Sequence, residues 1–137
     1  MIQWAAIKWG FNPLLGYADT TMEASWDQTG IGDQGGSSGL FQVADRGATH
    51  AYPGFSGYGA NLARENTCFN ADFWFGRMYS AYVGLIGSNP AYNFDAALQS
   101  WYSGTATSGG SYSQDTYYAM ESQLWVNWYY NGQPVPY

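Results

Sequence analysis

The chain has 137 residues, 46% of them hydrophobic, which suits one domain spanning residues 1–137 around a core of its own. Four basic residues against ten acidic ones give a net charge of -6, so the chain carries no electrostatic footprint for nucleic acid or for an anionic membrane surface. A single cysteine, Cys68, and a single histidine, His50, exclude an internal disulfide, a cysteine metal cluster and a multi-histidine metal site.

The opening "MIQWAAIKWG" has neither the basic start nor the continuous apolar stretch of a signal peptide, and no run of about twenty apolar residues follows. The expectation is a soluble chain; if it is a mature form or an excised domain, its targeting information has been removed. In "FNPLLGYADTTMEASW", Asn12 reads as an N-cap and Pro13 as the first helical residue, with no breaker stronger than Gly16 before Trp26. Glu23 therefore falls near the C-terminal end of a helix, where the macrodipole disfavours a carboxylate. That misfit adds weight to a functional reading, with an ordinary solvated Glu as the alternative.

The stretch from Gly30 to Gly39 is a glycine-rich loop, and a small sheet across Thr29 to Val43 is compatible with it. Asn61 to Ile86 is apolar on nearly every side, which predicts one central, buried helix. "NFDAALQSWY" predicts a shorter helix that stops before Gly104, where a second glycine-rich loop runs to Gly110. "QDTYYAMESQLWVNWYY" predicts a last packed helix, with Trp101 and Trp125 assigned to the core. The fold class expected is mainly α.

Aromatic residues make up 20% of the chain and charged ones only 10%. Large rings are mostly core, yet a flat apolar face with a polar edge also suits the face of a sugar. Glycosidic cleavage needs a proton on the leaving oxygen, and a carboxylic acid with a raised pKa in an apolar setting delivers one near neutrality. Glu23, with Met22, Ala24 and Trp26 beside it and Leu40, Phe41 and Val43 beyond the loop, meets that description. The glycines then let a backbone approach a polysaccharide closely. "GIGDQGGSSGL" lacks the lysine and the preceding strand of a phosphate-binding loop, and also the alternating acidic ligands of a calcium loop.

The order of Glu23, "GIGDQGGSSGLFQV", "ALQSWYSG" and "DTYYAMESQLWVNWYYNG" resembles the goose-type lysozyme and soluble lytic transglycosylase group of the lysozyme superfamily. Members of that group are similar in ending a helix on a catalytic glutamate, then carrying a G-x-G-D loop, a G-L-M-Q-[VI] segment and an A-Y-N-A-G segment. Gly39, Leu40, Gln42 and Val43 match, Phe41 stands in place of Met, and "SWYSG" keeps Tyr102 and Gly104. "TYYA" resembles a D-Y-A segment and would bring Tyr118 to the cleft. The likeness runs from about Phe11 to Gly132.

This resemblance implies a lysozyme-like helical domain, secreted or in the cell envelope, acting as a monomer on a polysaccharide with no metal or cofactor. Glu23 would be the general acid. Asp33, helped by Asp45, would activate water for inverting hydrolysis, which needs carboxyl groups roughly 6.5 to 9.5 Å apart. Without such a base, the sugar's own 6-hydroxyl attacks and a 1,6-anhydro product leaves. Gln42, Phe41, Tyr102, Tyr118 and Trp26 would bind substrate, although Phe41 and Trp26 also suit packing. Asp33 equally suits a turn between glycines, and Asp45 before Arg46 a surface pair or cap.

Two departures from the pattern matter. The usual second Asp position is Ala44, one residue before Asp45, and the chain is acidic where wall-degrading lysozymes are commonly basic. Peptidoglycan is therefore one substrate expectation, and a neutral β-1,4-glycan cleaved by a chitinase, chitosanase or β-glucanase is the other. A non-catalytic carbohydrate-binding module is the rival from another class.

Overall fold

The computed structural model describes residues 1–44 and 59–88, together with Leu98 and Thr116. These residues are mostly helical, with α1 at Ile2–Trp9, α2 at Pro13–Ala24, α3 at Gly59–Glu65 and α4 at Thr67–Ser88. Between α2 and α3 run three two-residue strands, β1 at Ile31–Gly32, β2 at Ser37–Ser38 and β3 at Val43–Ala44. They pair antiparallel in the order β1-β2-β3, with Ile31 opposite Ser38 and Ser38 opposite Val43. The described residues are mainly helical, as expected, and the small sheet in the glycine-rich stretch is compatible with that expectation.

The chain divides into two units, Met1–Gly76 and Arg77–Tyr137. In the first, α1 buries Ile2, Ala5 and Ala6 and ends at Gly10, whose left-handed backbone (φ 79°) closes the helix. Lys8 in its last turn suits the negative helix end and pairs with Asp72 at 2.8 Å, while the Trp9 indole donates to the same carboxylate at 2.7 Å. Asn12 caps α2 as its sequence predicts, its side-chain oxygen accepting from the Leu14 N–H at 3.0 Å with Pro13 in the first turn.

Phe41, Trp74 and Phe75 form the aromatic centre of this unit and have no exposed surface. Phe41 stacks on Trp74 with ring centres 4.8 Å apart and meets Phe75 edge-on at 5.9 Å. Burying one such ring contributes about 1.5 to 3 kcal/mol, which is why a three-strand sheet of six residues persists on so few ladder bonds.

Two expectations for the Asn61 to Ile86 segment need correction. The segment is two helices, not one, because the Asn66 side chain accepts from the Phe69 N–H at 2.9 Å and caps α4. Nor is α4 buried all round. Asn70, Ala71, Phe73, Trp74 and Phe75 are buried, whereas Cys68 is exposed.

In the second unit, Met78 is buried while Arg77, Tyr79 and Val83 are exposed. Leu98 and Thr116 are helical and fully buried, in the segments where helices are expected. The remainder of those two segments, with Trp101, Trp125 and the Gly104 to Gly110 loop, lies outside the described residues. No helix among the described residues is long and apolar enough to cross a membrane.

Candidate functional site

Glu23 is the penultimate residue of α2 and is partly buried. No basic residue stands in that last turn to offset the negative helix end. One turn earlier on the same side of the helix lies Asp19, which is fully buried. The sequence reading passed over Asp19, although its four-residue spacing to Glu23 was the signal that could have found it. The buried side of α2 thus carries Asp19 and Thr20 among its apolar residues, and Glu23 continues it toward the helix end.

The helix stops on two consecutive non-glycine residues in the left-handed region, Ser25 (φ 47°) and Trp26 (φ 70°), with the Trp26 N–H bonded back to the Thr20 carbonyl at 3.3 Å. From there hydrogen bonds step into the glycine loop. The Asp27 N–H donates to Ala24 O at 2.9 Å, the Gly30 N–H to Asp27 O at 3.1 Å, and the Gly39 N–H to Gly30 O at 3.0 Å. The exposed Asp27 carboxylate accepts from both the hydroxyl and the N–H of Thr29, at 2.8 and 2.9 Å. Those bonds, the Thr29 hydroxyl foremost, hold its pKa below the ordinary 3.8.

Gln42 is the brace of this loop. Its amide donates to Gly39 O at 2.9 Å and Gly30 O at 3.4 Å, and its side-chain oxygen accepts from the Ser37 hydroxyl at 2.9 Å. Expected as a cleft residue, it instead spends its donors and one acceptor within the loop. A Cβ on Gly32 would run into the Gln42 side-chain oxygen, so glycine there is a condition of the brace.

Asn70 of α4 anchors the loop from below and was not foreseen. Fully buried, it accepts from the Phe41 N–H at 2.8 Å and donates to Ser38 O at 2.9 Å and Ala63 O at 3.0 Å. Gln28 adds donations to Ala63 O and Arg64 O, both at 2.8 Å, which cover carbonyls at the end of α3. Gly39 (φ 81°) passes so close that a Cβ would strike the Ala63 carbonyl and the Asn70 amide. Loop, α3 and α4 are therefore one hydrogen-bonded assembly.

The remaining expected residues are placed as follows. Asp33 is exposed at the tip between β1 and β2, with φ 49° and its carbonyl accepting from the Gly36 N–H at 3.1 Å, a turn role that Asp tolerates. Of the two readings of Phe41, packing holds and substrate contact is corrected: with no exposed surface, its ring belongs to the core. Trp26 is 46% exposed, but its ring lies on Tyr17, with ring centres 5.8 Å apart, and its indole N–H donates to the Thr21 hydroxyl at 3.0 Å. Glu23 follows Thr21 by two residues, about 200° around the helix. Trp26 thus covers a stripe of α2 roughly opposite the one that carries Glu23. Asp45, Tyr102 and Tyr118 lie outside the described residues.

Among the described residues no group of three or more His, Cys, Asp or Glu is arranged to hold a metal ion. What is assembled is a partly buried carboxylate at a helix end, leading into a rigidly braced glycine loop. No family model, no curated protein and no solved structure matches the chain.

Proposed function

We propose that the chain is a glycosidase cleaving β-1,4 bonds of a polysaccharide, with Glu23 as general acid on a lysozyme-like helical fold. The observation that carries this reading is the position of Glu23. It is a partly buried carboxylate in the last turn of α2, directly ahead of the braced glycine loop, which is the place that the sequence resemblance gives to a proton donor. The braced loop that follows supports it, because a fixed backbone beside a proton donor is what positions a sugar for protonation.

In this reading the donor protonates the leaving glycosidic oxygen as the bond to the anomeric carbon breaks. Asp33, exposed at the hairpin tip, and Asp45 are the candidates to take a proton from an attacking water. Hydrolysis then adds one water across the bond; attack by the sugar's own 6-hydroxyl gives a 1,6-anhydro end and no added water. Peptidoglycan is the substrate that the sequence resemblance implies, and the excess of acidic residues favours a neutral glycan as the second reading.

Mass spectrometry of digests of peptidoglycan, chitin oligomers and cello-oligomers tests this. Products one water heavier than the cut chain indicate a hydrolase, and anhydro ends a lytic transglycosylase. Cleavage confined to neutral oligomers moves the substrate to chitin or glucan. No cleavage of any of the three overturns the enzymatic reading in favour of a binding module.

A further inference from the structure

Trp26 is held in an unusual way for a residue that would only pack. Helix α1 ends on Gly10 in the left-handed region, the residue for which that backbone is unstrained. Helix α2 makes the same kind of stop with Ser25 and Trp26, and a bulky side chain at φ 70° is an uncommon and costly choice. Its ring is nonetheless fixed, one face on Tyr17 at an interplanar angle of 28° and the indole N–H satisfied by Thr21. What stays in solvent is therefore apolar ring surface whose polar edge is already used. The buried rings of Phe41 and Trp74 show that this chain can cover aromatics fully when packing is their purpose.

We propose that Trp26, backed by Tyr17, is a surface platform for an uncharged β-linked sugar chain, on the stripe of α2 away from Glu23. A flat, oriented indole face suits the C–H face of a pyranose whose hydroxyls are equatorial. Asp27, the next residue, is exposed, and its carboxylate, held in place by Thr29, sets an acceptor for sugar hydroxyls beside the indole. A net charge of -6 disfavours anionic polymers, so nucleobases of a nucleic acid are poor occupants of the same face. The polymer class rests on the glycanase reading, but the platform does not depend on the chemistry of Glu23.

Calorimetric titration tests it, using the full chain carrying Glu23→Gln so that ligand is not consumed, with soluble oligomers of β-1,4-linked N-acetylglucosamine and of β-1,4-linked glucose. Two binding sites per chain are expected, one of which is lost or weakened about tenfold by Trp26→Ala and kept by Trp26→Phe. A single site that disappears with Trp26→Ala supports the platform and removes the cleft. Sites unchanged by Trp26→Ala, or no binding at all, overturn the platform. A fall of Trp26→Phe equal to that of Trp26→Ala, with both melting lower, overturns it in favour of a structural role.

Discussion

Asp27 shows at the scale of one residue how charge and loop geometry are linked. Its carboxylate is held below the ordinary 3.8 by donors that exist only in the folded loop, so its folded pKa is depressed. The stability this contributes is fully present above 3.8 and is lost as the pH falls through the lower folded value. Asp27→Ala is therefore expected to be less stable than wild type at neutral pH, with the gap closing on acidification below 3.8, as read by urea unfolding across pH. Phe41 gives a second residue-scale test. Fully buried on Trp74 and Phe75, it should cost about 3 to 5 kcal/mol of unfolding free energy when changed to Ala. A substrate-contact role without packing would leave the unfolding midpoint where it was.

Between elements, the tie that matters runs from the glycine loop to α3 and α4 through Asn70. Three hydrogen bonds in a fully buried setting make Asn70→Ala a loss of about 2 to 4 kcal/mol, measured by denaturant unfolding. Gly39→Ala should be comparably harmful, since the new methyl group meets two fixed groups at a left-handed φ. Sequence made part of this level legible. Asn12 and Pro13 announce the start of α2 through local capping chemistry, and the glycine cluster marks where the small sheet lies. Asn70 gave no such signal, because its partners Ser38 and Phe41 are 32 and 29 residues away and nothing local requires an amide there. Helix α1 was also missed, because its buried side is built from Ile2 and two alanines, too small to give a strong apolar period. The burial of Phe41 depends on rings of α4 more than thirty residues on, so the local motif left substrate contact and packing both open.

For the whole molecule, ten acidic residues against four basic ones set the long-range field. The chain should flow through a heparin column at low ionic strength and be retained by an anion exchanger at neutral pH; retention on heparin would contradict the exclusion of polyanions. Glu23 is where the fold meets the proposed function, placed by α2 and followed by the braced loop. The most direct measurement is turnover of a cleavable β-1,4-glycan by wild type beside Glu23→Gln, with melting temperatures of both. Loss of turnover by about 10² to 10⁴-fold at an unchanged melting temperature is expected of a general acid. Equal turnover by the two proteins would contradict the role given to Glu23.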